Sequence, residues 1–294
     1  MAKRGNYNIL GKYGWCIPDG TEIFFLILLL LLGTLIGMVF VSILMAIMGQ
    51  EAIKDYTTLL SYPIMFIPAM IWAAANSRSN RYRQKGLDLD NANVAPLGWG
   101  ICICLTVLGT IGVGIVSDVF QRVLPPMPAW LEKVMGSLLD GNILINFICV
   151  SIFAPFFEEW LCRGMIERGL LGRGTKPVWA IVISAVIFAV IHMNPWQALP
   201  AFIMGLLFGY IYYKTGSLKL TMLAHFTNNT LALVVGNIES LKGCNNYMDA
   251  LGSGYWYCFA ASILVIIMVV RSFSTLPAPG PRGAFKVLPS AFDE

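Results

Sequence analysis

The chain has 294 residues, 57% of them hydrophobic and 12% charged, with a mean hydropathy of +0.71. A soluble domain carries roughly a quarter charged residues, so this composition excludes a soluble globular protein and indicates an all-α polytopic transmembrane bundle. The net charge of +4 is spread over short loops and gives no reason to expect a nucleic-acid partner, and the seven cysteines show neither metal spacing nor a disulfide framework.

Lys3, Arg4 and Lys12 precede an apolar run from Ile23 to Met48. That run is too long for a signal-peptide core and lacks a small-residue cleavage site, so it reads as a retained span. Seven further runs follow: Thr58–Ala75, Gly98–Ser117, Ile143–Phe157, Val178–Met193, Trp196–Tyr213, Leu218–Gly236 and Tyr255–Val270. Eight spans place sixteen Lys and Arg on one side and four (Lys54, Arg122, Lys133 and Lys242) on the other. Positive residues mark the cytoplasmic side, which predicts both termini there. On this reading Arg168, Arg173 and Lys176 are topology determinants only, and Tyr210, Tyr212 and Tyr213 form an interfacial belt. Between the third and fourth spans, Pro125, Pro126 and Pro128 prevent a continuous helix, and Trp130 to Leu139 is suited to a short surface helix. Residues 1–275 thus read as one membrane bundle with a motif core at 143–236, and residues 276–294, rich in Pro and Gly, as a flexible cytoplasmic tail. No internal repeat supports an inverted-repeat transporter.

Three polar groups interrupt the apolar runs, and ionisable groups in a span are functional candidates by default. Glu159 and Arg163 are four apart on a helix, the favourable order for an ion pair. Glu158 lies about 100° around the same helix, without a local partner, and is the better candidate for chemistry. Phe188 and His192 come late in the fifth span. His225 and Asn229, four apart in the seventh, share a helix face; Asn228 is less suited. Counted from the intervening turn, Glu158 and His192 differ in height by about 6 Å, so the groups can meet. A carboxylate can act as base on a water, a histidine can hold that water or move its proton, and a His–Asn pair can donate to a developing oxyanion. These are the parts of peptide-bond hydrolysis without a protein nucleophile: GxSxG is absent and Cys162 has no sequence-local base. Each group also has a plainer reading, as a headgroup ion pair, a buried histidine or polar contacts between helices. Yet the only two histidines of the chain both fall in these groups.

At Glu158-Glu159-x-x-x-Arg163, Phe188-x-x-x-His192 and His225-x-x-x-Asn229 the chain resembles the CAAX-processing and bacteriocin-processing (CPBP, or Abi-type) intramembrane proteases. The resemblance covers about Phe157 to Asn229 and implies that Glu158 and His192 activate water while His225 and Asn229 form the oxyanion hole. Glu159, Arg163 and Phe188 are the supporting residues. It implies an intramembrane endopeptidase acting on a peptide or protein segment in or at the bilayer, without nucleic acid. The short loops look more bacterial, which points to a bacterial cell membrane. A metal-free glutamate mechanism is favoured. The alternative is a divalent metal such as zinc on Glu158, His192 and His225, a two-His-one-carboxylate set drawn from three helices, since HExxH is absent. A non-proteolytic scaffold on the same fold and a proton-coupled transporter are the competing functions.

Overall fold

The structure, a computed structural model, describes residues 15–78, 89–137, 141–238, 241, 244 and 246–277. Eight principal helices carry the eight apolar runs: α1 (Gly20–Met48), α2 (Thr57–Arg78), α3 (Trp99–Gln121), α4 (Ile143–Gly172), α5 (Pro177–Val190), α6 (Pro195–Thr215), α7 (Leu218–Gly236) and α8 (Tyr255–Ser274). Length and composition mark the segments containing α1, α2, α3, α4 and α8 as able to cross a membrane, and α5 as a shorter apolar helix. The surface helix expected near Trp130 forms at Ala129–Ser137. No β-strand occurs among the described residues. The Lys3–Lys12 cluster, most of the basic loop after Arg78, and the tail from residue 278 lie outside them.

The helix ends are written in the sequence. At the start of α1 a capping box closes: Asp19 Oδ1 accepts from Glu22 N and Glu22 Oε2 accepts from Asp19 N, each at 2.9 Å. Gly216 stops α6 at φ 63°, a left-handed conformation that favours glycine. Ser217 then caps α7 by accepting from Leu220 N. A buried aspartate, Asp90, reinforces this end: its Oδ1 accepts from Leu218 N at 2.9 Å and from Ser217 Oγ at 3.2 Å.

Helix α1 packs along α2, and α8 along α3. Helix α4 shares a buried core with α1 and α2, α5 packs on α4 and α6, and α6 and α7 pack on α3. The α1–α2 approach is close: a Cβ at Gly33 would lie 2.1 Å from Met65 O. Large apolar side chains are exposed along α1 (Phe24, Leu35, Met38, Val39), as a surface facing lipid requires. By contrast, every residue from Trp160 to Glu167 is buried, so this part of α4 is surrounded on all faces.

Two stretches of α4, Phe147–Phe153 and Trp160–Glu167, are π-helical. Ala154 N donates to Cys149 O and Arg168 N to Arg163 O, each five residues back. Pro155 explains the first, because its ring clashes with the carbonyl four residues earlier and it has no N–H to give. In the second, Gly164 O accepts from Nε of Arg168, which occupies the carbonyl that an α-helical Arg168 N–H would use.

Two expectations from composition are corrected here. Arg168 and Arg173 are more than topology markers. Arg168 is fully buried and donates to Cys16 O, while Arg173 donates to Ile17 O through Nε (3.1 Å) and a terminal nitrogen (2.6 Å). Together they clamp the segment before α1 onto the end of α4. Likewise Tyr212 is fully buried, with its hydroxyl donating to Leu89 O at 2.8 Å, so it belongs to the core and not to an interfacial belt. Leu276, placed at the start of the tail, is also buried.

Candidate active site

The site is centred on the α-helical turn Ala154–Glu159 between the two π-helical stretches. The expected Glu159–Arg163 pair forms, with Nη1 2.8 Å from Oε1 and both side chains fully buried. Arg163 also donates to Gly205 O of α6 at 3.0 Å, and its guanidinium lies over the rings of Phe188 (4.6 Å) and Phe208 (5.3 Å). These contacts fix the ion pair in the interior, where an unpaired charge would be strongly unfavourable.

Glu159 Oε1 lies also 3.1 Å from His225 Nδ1. An ionised carboxylate only accepts, so Nδ1 carries the hydrogen. The Nε2 edge of His225 then turns towards Glu158, 4.0 Å from Oε2. That oxygen is buried and has no hydrogen-bond partner. The other oxygen of Glu158, Oε1, accepts from the Tyr62 hydroxyl on α2. Glu158 does lack a local partner, but it has this distant one.

Phe188 joins the two histidines: its ring centroid lies 5.3 Å from that of His225 and 5.2 Å from that of His192. His192 sits past the end of α5, in a turn, and not inside the helix as its place in the apolar run suggests. It is half-buried, with Nδ1 2.7 Å from Phe188 O. The adjoining Met193 has φ 57°, unusual for a residue with a Cβ. Asn229 lies one turn beyond His225 and donates to Val150 O in the first π-helical stretch at 2.8 Å. Its own oxygen accepts from Asn228 Nδ2 at 3.0 Å, so Asn228, set aside on spacing, is the residue that orients it.

The structure therefore brings Glu158, Glu159, Arg163, Phe188 and His225 into one buried group, borders it with His192 and ties Asn229 to the same helix. Among the described residues no group of three or more His, Cys, Asp or Glu side chains is placed to hold a metal ion. Sequence reasoning missed Tyr62, which lies 96 residues from its partner in an apolar run. It also missed Glu167, fully buried with both carboxylate oxygens lacking a hydrogen-bond partner, although its place eight residues after Glu159 and four after Arg163 was a readable signal.

Residues 140–231 match the sequence model of the type II CAAX prenyl endopeptidase Rce1-like family. YdiL of Bacillus subtilis (strain 168), provisionally named a membrane peptidase, is 30% identical over 105 residues, covering 36% of this chain and 41% of that protein. An uncharacterized 24.3 kDa protein of Escherichia coli is 24% identical over 115 residues, covering 38% of this chain and 53% of that one. The chain thus spans about half or less of the curated relatives it matches. No solved structure matches. The resemblance to the CPBP intramembrane proteases is borne out by the family match and by YdiL, and the matched segment contains all three motifs.

Proposed function

We propose that this membrane protein, with its Rce1-like segment at residues 140–231, is an intramembrane endopeptidase of glutamate type. The observation that carries the reading is the buried, unpartnered Glu158 Oε2 facing His225 Nε2 across 4.0 Å. Glu158 Oε2 takes a proton from an attacking water as general base. His225, oriented at Nδ1 by Glu159, donates from Nε2 to the oxyanion when it is an imidazolium. The Asn229 amide supplies a second donor from the same helix face. His192, at the half-buried rim, holds the attacking water by a hydrogen bond. Arg163 holds the Glu159 carboxylate in place, and with it the orientation of His225. The proton on Glu158 then passes to the leaving amine.

The substrate is a peptide or protein segment in or at the bilayer. The matched family is described by CAAX prenyl endopeptidase activity, so a farnesylated CAAX peptide is the first synthetic probe. The protein resides in a bacterial cell membrane with both termini in the cytoplasm. The test is to profile new peptide termini in membranes of cells making the wild type, Glu158→Gln, His192→Ala or His225→Ala, with and without a membrane-permeable chelator. Termini that appear with wild type and vanish with each variant, at equal protein accumulation, support the reading. Their loss with the chelator would favour a metal mechanism, and identical profiles for wild type and Glu158→Gln would favour a scaffold.

A further inference from the structure

We infer that Tyr62 is a positioning residue for Glu158, so that α2, outside the segment matched to the family, completes the catalytic unit. This rests on the protease reading only in taking Glu158 as the base. A carboxylate has two oxygens, and a freely turning one offers either to a water. Here the phenol hydroxyl donates to Oε1, because an ionised carboxylate can only accept. That leaves Oε2, on the His225 side, as the basic oxygen.

The donor is held rigidly. The Tyr62 ring packs on Phe66 (5.6 Å between centroids) and Phe157 (6.4 Å), and those two stack on each other at 5.1 Å with 15° between planes. Phe157 is the residue before Glu158, so the same aromatic group fixes donor and acceptor. Helix α2 is in turn seated against α1 at Gly33 and Gly37, where a Cβ would lie 2.1 Å from Met65 O and 3.1 Å from Ser61 O. Ser61 and Met65 flank Tyr62 on that helix. The first two helices thus reach the reaction point through one hydroxyl.

A hydrogen bond to a charged group is strong enough that its loss changes a rate about tenfold to a hundredfold. The experiment uses the full chain in lipid nanodiscs as wild type, Tyr62→Phe and Glu158→Gln. Cleavage is followed on a synthetic peptide spanning one of the termini found by profiling. In parallel, 3-fluorotyrosine is placed at position 62, or at the 82% exposed Tyr257 as control, and its fluorine resonance is compared with and without Glu158→Ala. We expect Tyr62→Phe to lower kcat about tenfold to a hundredfold with KM within about twofold. The resonance at position 62 should move with Glu158→Ala, and the one at 257 should not. A kcat within twofold of wild type, or an unmoved resonance at 62, overturns the inference. A wild type that cleaves no more than Glu158→Gln overturns the protease reading instead, and the resonance then decides the Tyr62–Glu158 contact by itself.

Discussion

Replacing Arg163 with methionine should be among the most destabilising single changes in the protein. The guanidinium is fully buried and holds three things at once: Glu159 Oε1 at 2.8 Å, Gly205 O at 3.0 Å and the faces of Phe188 and Phe208. Methionine keeps much of the packing volume but leaves a buried carboxylate without its counter-charge. Breaking a buried pair from one side costs about 3–5 kcal/mol. The double variant Glu159→Gln/Arg163→Met removes both charges, and the glutamine oxygen can still accept from His225 Nδ1. It should recover at least half of the loss. Reversible unfolding in mixed micelles of rising dodecyl sulfate fraction, followed by the fluorescence of the eight tryptophans, measures both. A single variant within about 0.5 kcal/mol of wild type, or a double variant no better than the single, would refute the argument that the interior pair is maintained by mutual neutralisation.

Other substitutions test the frame around the site. Gly33→Ala places a methyl group 2.1 Å from Met65 O and should lose about 1–3 kcal/mol, whereas Gly20→Ala, with nothing within 4 Å, should be close to neutral in the same unfolding assay. Asp90→Ala removes the acceptor for Leu218 N and should lose about 0.5–2 kcal/mol, with hydrogen exchange rising first at the start of α7. Glu167→Met should raise stability by about 1 kcal/mol or more, since it replaces a buried carboxylate lacking hydrogen-bond partners with an apolar side chain of similar reach; a loss of stability would show that Glu167 is held by Arg163.

Most of the helices were legible because hydrophobic length is a coarse signal that survives local detail. The turns were legible for a sharper reason: Gly174 and Gly216 take the left-handed backbone that other residues avoid, Pro177 can start a helix but not continue one, and Ser217 caps the next. The Glu159–Arg163 pair followed from helix periodicity alone. Periodicity, however, describes one helix at a time. It could not show that His225 reaches Glu159 or that Tyr62 reaches Glu158, because those contacts depend on how α2 and α7 pack against α4. It also misplaced His192, since the last apolar residues of a run can continue into a turn when a left-handed residue such as Met193 follows. Arg168 shows the limit of counting charge: a basic residue near a membrane edge scores as a topology marker whether its guanidinium lies in water or, as here, against the Cys16 carbonyl.

The widened turns of α4 matter for anyone who would rebuild this protein. Replacing Pro155 and its neighbours by strong helix formers would improve local propensity and tighten the first of these stretches into α-helix. The Val150 carbonyl that receives Asn229 lies in the first widened stretch, and Glu158 and Glu159 stand between the two. A tighter winding would turn the two halves of the helix relative to each other and carry that carbonyl away from α7. The irregular winding therefore acts as a spacer that sets the phase between a docking carbonyl and a pair of acids, and an idealised helix would be more stable locally while presenting them out of register.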